Sequence, residues 1–206
     1  MQKRHTDRES YFGEQSQTSK NYYIPYIKEV IGHIPDKVLE VGCGEGGNLL
    51  PFAKAGCRVM GVDIDAMRIE QARTFFTQRH QQGQFISTDI FQLEDKATNF
   101  PLILLHDVIE HIRDKERFLS GLQKHLSADG AIFVGFPAWQ MPFGGHQQIA
   151  HSHIVSHFPF LHLLPRTLYR WILRLCGEQE RVITELCLNL PQSRLRLGCM
   201  IKRWKR

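Results

Sequence analysis

The chain has 206 residues, a mass of 23.9 kDa and a formal net charge of +5. Its 42% hydrophobic and 23% charged residues are the proportions of a globular protein with a substantial core, which excludes a disordered chain. The N-terminus is polar and no stretch of about 18 uncharged apolar residues occurs, so we expect neither a signal peptide nor a membrane span.

The positive charge and the cysteines limit the partners and the compartment. Much of the basic excess lies at the two ends of the chain, and no basic stripe is interleaved with aromatic residues, so nucleic acid is not an expected partner. The five cysteines are widely spaced without a C-x-x-C pair. This pattern argues against a disulfide framework or a zinc ribbon and favours a reducing, cytoplasmic location.

Residues 1–20 are polar, and we expect a flexible arm there, with a lid that orders over a ligand as the alternative. Residues 21–206 are expected to form a single domain in which short apolar runs alternate with amphipathic ones. Strands are predicted over 37–41, 58–63, 84–87, 100–105 and 131–136, and helices over 21–34, 49–55, 66–80 and 114–127. This alternation predicts an α/β fold with a parallel, doubly wound sheet.

A glycine-rich loop follows the first predicted strand. Gly42-x-Gly44-x-x-Gly47 fits the dinucleotide fingerprint, but the same stretch also reads Glu40-x-Gly42-x-Gly44-x-Gly46. Carboxylates at Glu40 and Glu45 would repel a pyrophosphate and suit a ligand with a cationic group. They favour S-adenosylmethionine, which carries an ammonium and a sulfonium and no phosphate, over NAD.

Together with this loop, three later segments resemble the motifs of class I S-adenosylmethionine-dependent methyltransferases, in the right order and spacing. They are Gly61-Val62-Asp63-Ile64-Asp65, Thr88-Asp89-Ile90 and His106-Asp107-Val108-Ile109-Glu110-His111-Ile112. The resemblance covers about residues 20–140. It implies a Rossmann-like methyltransferase fold, S-adenosyl-L-methionine as the cofactor and methyl transfer to a small-molecule acceptor.

The resemblance also assigns roles to individual residues. Gly42, Gly44 and Gly46 would let the backbone approach the methionine part of the cofactor, and Glu40 would orient its amino group. Asp63 would accept hydrogen bonds from the ribose hydroxyls, and Ile64 would pack on the adenine face. Asp89 would accept from the adenine amino group with Ile90 as a wall, and His106 would line the methyl-transfer region.

Residues 137–165 are expected to form a substrate-side insertion, rich in proline and containing five histidines. No cysteine or acid completes a four-ligand set with them, so no metal is expected. His146, which follows Gly144-Gly145, is the first choice for a general base. The sulfonium is itself activated, so orientation alone is the alternative to a base.

The C-terminus departs from the family pattern, in which an antiparallel pair of strands completes the sheet. Residues 181–206 offer at most one plausible element, a strand or helix over 181–190, so the C-terminal strands are expected to be incomplete. The sheet edge would then be exposed or covered by a partner chain, as in a homodimer. Two alternative functions stay open: a protein that binds S-adenosylmethionine without catalysis, and a nucleotide-dependent oxidoreductase, which Glu40 and Glu45 disfavour.

Overall fold

The computed structural model describes residues 7–93, 98–136, 141–142, 150–192 and 199–203, and six strands of this part form one sheet. The strands are β1 Lys37–Val41, β2 Arg58–Asp63, β3 Gln84–Ser87, β4 Phe100–His106, β5 Leu126–Gly135 and β6 Cys199–Arg203. Their order is β3-β2-β1-β4-β5-β6. The first five are parallel, and β6 pairs antiparallel with β5.

The central strands are buried along almost their whole length, because helices cover both faces of a parallel sheet. Val41 pairs with Val62 on one side and with Leu105 on the other. The register therefore brings the ends of β1, β2 and β4 to the same edge of the sheet. The segments that follow these three strands start side by side there.

Eight helices lie in the described part of the chain. They are α1 Arg8–Thr18, α2 Ile24–Ile31, α3 Leu50–Lys54, α4 Ala66–Gln78, α5 Lys115–Leu122, α6 His153–His157, α7 Arg166–Leu175 and α8 Glu180–Gln192. Side-chain caps define several starts: the carboxylate of Asp65 accepts hydrogen bonds from the amides of Met67 and Arg68 at the start of α4. None of the described helices has the length and apolar character needed to cross a membrane.

Residues 8–20, which the sequence predicts to be part of a flexible arm or a lid, are helical; residues 1–6 lie outside the described residues. Helix α1 continues into a π-helical turn over Ser19–Tyr23 and then into α2. Phe12 anchors α1 because its ring is fully buried, 4.9 Å from the ring of Phe75. Two adjacent aromatic residues, Tyr11 and Phe12, are a weak sequence signal in an otherwise polar segment, and only the tertiary contact makes Phe12 an anchor.

Asp129 and Gly130, which lie between the predicted helix over 114–127 and the predicted strand over 131–136, are part of a bulge of β5. Phe100 of β4 pairs with Leu126, and Leu102 pairs with Ala131, so one residue of β4 faces four of β5. That one residue is Pro101, which has no amide hydrogen to donate to a ladder. The bulge thus accommodates a proline near the start of a central strand.

At the C-terminus the structure selects one of two predicted alternatives and adds a strand that the sequence does not predict. Residues 181–190, a candidate strand or helix, belong to helix α8. Residues 199–203, for which the sequence shows no period, form β6 and pair with β5 through residues 131–135. The described part of the C-terminus therefore supplies one antiparallel strand, where the family pattern predicts a pair.

The described residues group into two compact units by their contacts, and the single domain over residues 21–206 stays a prediction. The sheet unit holds residues 7–109, 114–135 and β6, and the second unit holds residues 110–113 and 136–198. The second unit is larger than the predicted insertion over 137–165 and has a core of its own, centred on Tyr169 and Leu173. Two separate hydrophobic clusters explain why the chain forms two units.

Replacing the anchor of α1 tests its packing. We expect Phe12→Ala to lower the free energy of unfolding by about 3–5 kcal/mol, because it leaves a cavity in the core. Urea denaturation measures this change. The matched control is Tyr22→Ala, an aromatic residue that is 68% exposed, for which we expect a change within about 0.5 kcal/mol. Equal small effects for both variants would contradict the packing of α1.

Candidate functional site

The loop after β1 is built on glycines with left-handed backbone angles: φ is +73° at Gly42, +51° at Gly44 and +81° at Gly46. L-residues with side chains rarely adopt these angles. The amides of Gly42 and Cys43 both donate to the carbonyl oxygen of Val62, at 2.8 and 3.1 Å. The loop is therefore folded back onto the end of β2.

Asp63, the last residue of β2, fixes the loop from its other side. Its Oδ2 accepts a hydrogen bond from the amide of Gly44 at 2.8 Å, and its Oδ1 accepts one from the amide of Asp65 at 2.9 Å. The residue is 9% exposed. Because each carboxylate oxygen has two lone pairs, one acceptor position remains on each oxygen. A ligand with two neighbouring hydroxyl groups matches that arrangement.

Glu40 lies in β1 and is completely buried. Its Oε1 accepts a hydrogen bond from Nδ2 of Asn48 at 2.8 Å, whereas its Oε2 and the Oδ1 of Asn48 find no hydrogen-bond partner among the described residues. Burial raises the pKa of Glu40 to about 8; the charge of Asp63 adds to this rise and the Asn48 hydrogen bond opposes it. Two unpaired buried acceptors beside the loop are suited to a ligand that brings hydrogen-bond donors or positive charge.

Glu45 does not fit the expectation that it faces a cationic ligand. It is 1% exposed, and its Oε1 lies 3.1 Å from Nη1 of Arg8 and 3.9 Å from Nε of Arg68. Two arginines of the protein already neutralise it. Only Glu40 therefore supports the electrostatic argument against a pyrophosphate.

Helix α1 and the π-helical turn lie directly on the loop. A Cβ atom placed on Gly47 would come within 2.7 Å of both the carbonyl oxygen of Phe12 and the Cβ of Gln15. The hydroxyl of Ser19 donates to the carbonyl oxygen of Asn48 at 2.8 Å. The Oε1 of Gln15 is buried there without a hydrogen-bond partner in the described residues. The N-terminal segment is therefore part of the site.

The residues predicted to surround an adenine lie beyond β2 and β3. Ile64 is 81% exposed, so its side chain is available to a ligand. The amide of Thr88 donates to the carbonyl oxygen of Asp63 at 3.0 Å, which brings the 88–90 segment close to Asp63. Asp89 is exposed and its Oδ1 accepts from the amide of Phe91, while Ile90 is 5% exposed and offers little free surface.

His106 ends β4, at the same sheet edge as the glycine loop. Its ring centroid lies 5.6 Å from that of Tyr23, and its Nδ1 lies 3.7 Å from Oδ2 of Asp107. Asp107 has a left-handed φ of +53°, and its amide donates to the carbonyl oxygen of Gly135 at 3.0 Å. His106 is thus held between the N-terminal segment and a sharp turn. His146 lies outside the described residues.

No group of three or more histidines, cysteines and acids that could hold a metal ion occurs in the described ranges. His153 and His157 stack with ring centroids 4.1 Å apart, one helical turn from each other on α6. The absence of a metal stays a prediction, because His146 is not described.

A cavity of about 690 Å³ opens at the opposite edge of the sheet, near Lys37, Arg58 and Gln84, where β1, β2 and β3 begin. Lys37 donates to the carbonyl oxygen of Thr98, and Arg58 is paired with Asp36. Ligands of open α/β sheets bind at the carboxyl ends of the strands, so we do not assign this cavity to the candidate site.

Sequence reasoning missed four residues of the site: Arg8, Gln15, Ser19 and Asn48. The first three lie within residues 1–20, which their polar composition predicts to be a flexible arm. Asn48 carries a usable signal, because a buried acid such as Glu40 requires a nearby donor. The sequence does not show which of the following residues supplies that donor.

The contact between α1 and the loop is open to a direct test. We expect Gly47→Ala to destabilise the protein by about 1–3 kcal/mol, since the new methyl group would collide with the backbone of α1. The control is Gly13→Ala, whose methyl group would meet nothing within 4 Å and which should stabilise α1 by about 0.5–1 kcal/mol. Thermal unfolding measures both, and a neutral Gly47→Ala would refute the contact.

Residues 39–132 match a family model described as a methyltransferase domain. Among curated proteins, the ubiquinone biosynthesis O-methyltransferase of Bartonella quintana (strain Toulouse) is 33% identical over 118 residues, which is 55% of this chain and 48% of that protein. The protein of the same name from Brucella ovis is 31% identical over 98 residues, 48% of this chain and 40% of the relative. The chain thus spans about half the length of the curated relatives that it matches.

Solved structures show the fold. The plantazolicin methyltransferase in complex with a monoazolic desmethylPZN analog and SAH covers 95% of this chain and 63% of its own, with a TM-score of 0.61 and 17% identity. Magnesium protoporphyrin IX methyltransferase from Synechocystis PCC 6803 with bound SAM covers 60% of this chain and 59% of its own, with a TM-score of 0.50 and 24% identity. These likenesses confirm the predicted fold class.

Proposed function

We propose that this chain, whose residues 39–132 belong to the methyltransferase domains of the class I, S-adenosylmethionine-dependent type, transfers a methyl group from S-adenosylmethionine to a small-molecule acceptor. The observation that carries the proposal is the edge of the sheet where the left-handed glycine loop, Asp63 and the buried Glu40 meet. This edge offers paired acceptors for a diol and an unpaired carboxyl for an ammonium group. The two arginines beside the loop, Arg8 and Arg68, face Glu45, and the acceptors at this edge do not match a pyrophosphate.

Each residue of this edge has a proposed role in binding the donor. The backbone at Gly42, Gly44 and Gly46 borders the amino-acid part, and Oε2 of Glu40 accepts from its ammonium group. Asp63 accepts from the two ribose hydroxyls on the lone pairs left free by the amides of Gly44 and Asp65. Ile64 covers one face of the adenine. Asp89, with Ile90 behind it, accepts from the adenine amino group.

The donor, when bound, supplies a methyl group on a positively charged sulfur, which needs no further activation. The protein then has to exclude water and hold the acceptor in line with the methyl carbon. We propose that His106, at the end of β4, borders the transfer region. His146 is the proposed base that takes the proton of an oxygen or nitrogen acceptor.

Several finer assignments stay predictions. The match with the methyltransferase family runs from β1 into β5 and leaves residues 133–206 outside, so the relatives' acceptors do not carry over to this chain. A cytoplasmic location, the absence of nucleic acid as a partner and a homodimer rest on the sequence argument alone. Incubating the protein with a metabolite extract and a labelled methyl donor would identify the acceptor.

Calorimetry and turnover together test the proposal. We expect S-adenosylmethionine and S-adenosylhomocysteine to bind and NAD not to bind. Asp63→Asn should weaken donor binding by about 10–100-fold, because two hydrogen bonds to a charged acceptor are weakened. The control is Asp36→Asn at the opposite edge of the sheet, which should leave the affinity unchanged.

Thermal unfolding of Asp63→Asn shows whether the substitution removes only the ligand contact or also destabilises the glycine loop. A melting temperature close to that of the unchanged protein indicates that only the ligand contact is lost. NAD binding in place of the methyl donor would support the oxidoreductase alternative. Donor binding without turnover on any acceptor of the extract would support a protein that binds the donor without catalysis. Either result would contradict the proposed function.

The raised pKa of Glu40 predicts a pH-dependent affinity. With a pKa of about 8, the carboxyl group is protonated at pH 7 in the free protein and must lose its proton to bind an ammonium group. We expect the affinity for S-adenosylhomocysteine to rise by up to about tenfold per pH unit between pH 6 and 8 and then to level off. Calorimetry in buffers of different ionisation enthalpy should detect the released proton at pH 7.

The control is Glu40→Gln, which should bind S-adenosylhomocysteine weakly, with an affinity that does not change with pH and without proton release.

The stability of the unliganded protein should also depend on pH. The folded protein keeps a proton that the unfolded chain releases near pH 4.5, so the unliganded protein loses stability as the pH rises from about 4.5 through about 8. Glu40→Gln should remove the part of this loss of stability that is due to Glu40. An affinity independent of pH would contradict the assigned contact.

A further inference from the structure

Helix α7 in the second unit has an apolar stripe that the protein does not bury. Leu168, Trp171 and Leu175 follow one another at intervals of three and four residues and are 42%, 58% and 65% exposed. This spacing places them on one face of the helix. The buried face is formed by Tyr169 and Leu173, which are completely buried in the core of this unit. The helix therefore has two apolar faces, and only one of them is packed.

Other exposed apolar side chains concentrate in the same unit. Of the fourteen large apolar residues that are exposed in the described chain, eight lie between residues 141 and 175. The five outside α7 are Met141, Ile154, Phe158, Phe160 and Leu163. Scattered exposed apolar residues are ordinary, but this concentration marks an interaction surface.

The charge of the segment has a single sign. Between residues 136 and 177 the sequence contains three arginines and five histidines but no aspartate or glutamate. All three arginines, Arg166, Arg170 and Arg174, lie on α7 at intervals of four residues and so form a stripe between the buried face and the exposed apolar face. Arg174 is paired with Glu180 at 2.7 Å. The described residues include no ion pair for Arg166 or Arg170.

We propose that α7 docks the second unit on the surface of an anionic lipid bilayer. An exposed stripe of tryptophan and leucine beside a stripe of arginines is the pattern of helices that lie in the membrane interface. Trp171, in the middle of the stripe, is the residue type that prefers the headgroup level. The long arginine stems can reach lipid phosphates while the apolar side chains enter the acyl boundary.

Charge complementarity favours a bilayer over a protein partner or a second copy of the chain. A second copy would present the same arginines and repel this face. A protein interface commonly carries charges of both signs at its rim, whereas residues 136–177 carry only positive ones, and the exposed acid that follows, Glu180, is already paired with Arg174. An anionic bilayer supplies the opposite charge over the whole face. The contact is peripheral, because α7 has only ten residues.

Co-sedimentation of the full chain with lipid vesicles tests whether α7 docks on an anionic bilayer. We expect binding to vesicles of equal parts phosphatidylcholine and phosphatidylglycerol, weak binding to pure phosphatidylcholine, and release by added salt. Leu168→Gln/Trp171→Gln/Leu175→Gln should weaken binding to the anionic vesicles by at least about tenfold. Arg166→Gln/Arg170→Gln should weaken it by about fivefold per arginine.

Matched controls change the same properties in the sheet unit. Tyr22→Gln removes an aromatic side chain that is 68% exposed, and Arg117→Gln/Lys124→Gln removes two exposed positive charges from around α5. Both should bind vesicles like the unchanged protein, and thermal unfolding checks that every variant is folded. Binding of S-adenosylhomocysteine, measured on the same samples, is independent of this proposal.

Three results would overturn the proposal. One is equal binding to neutral and anionic vesicles. Another is vesicle binding that the α7 variants do not weaken more than the controls do. The last is the absence of vesicle binding by the unchanged protein, when light scattering shows that this protein is a dimer and that the Leu168→Gln/Trp171→Gln/Leu175→Gln variant is a monomer. That last outcome would assign the stripe to a contact between two copies.

Discussion

The site depends on one carboxylate, that of Asp63, which joins the two loops at the end of the parallel strands. One oxygen accepts from the amide of Gly44 in the loop after β1, and the other accepts from the amide of Asp65 in the loop after β2. Hydrogen bonds from backbone amides to a charged acceptor are among the stronger ones in proteins. They keep the left-handed glycine loop folded back against β2, and the same two oxygens remain able to accept from a ligand.

A second constraint comes from the burial of Glu40. A carboxyl group without access to water is stable only when it is neutral or paired, which is why its pKa is raised to about 8. Asn48 satisfies one of its oxygens, and the other is left for a ligand. The N-terminal helix contributes to this state, because Ser19 holds the backbone of Asn48 and α1 packs on Gly47. Arg8 from the same helix neutralises Glu45, the other acid of the loop.

The two compact units have different surfaces. The sheet unit has the carboxylate of Asp63 and the left-handed glycine loop at the carboxyl ends of its strands. The second unit leaves one apolar face of α7 exposed, with the arginines of the helix flanking that face. A protein that transfers a methyl group at one surface and rests on a lipid surface with another would use the two units for separate tasks.

Much of this architecture could be predicted from the sequence. The parallel strands lie where the apolar runs predicted them, with β1, β2 and β3 at their predicted bounds, because short buried runs between helices have few other solutions. The glycine loop and the acid at the end of β2 were also predictable, since left-handed backbone and a strand-end carboxylate leave marks in the local sequence.

Only the tertiary structure decided the rest, and the reason in each case is a contact between distant residues. Phe12 makes α1 part of the fold through Phe75, although its own neighbours are polar. Residues 199–203 become a strand because the edge of β5 is available to pair with them. The local sequence thus determined the sheet and the left-handed glycine loop that follows β1. Long-range packing determined what covers that loop, how the sheet ends and which apolar face of α7 is left open.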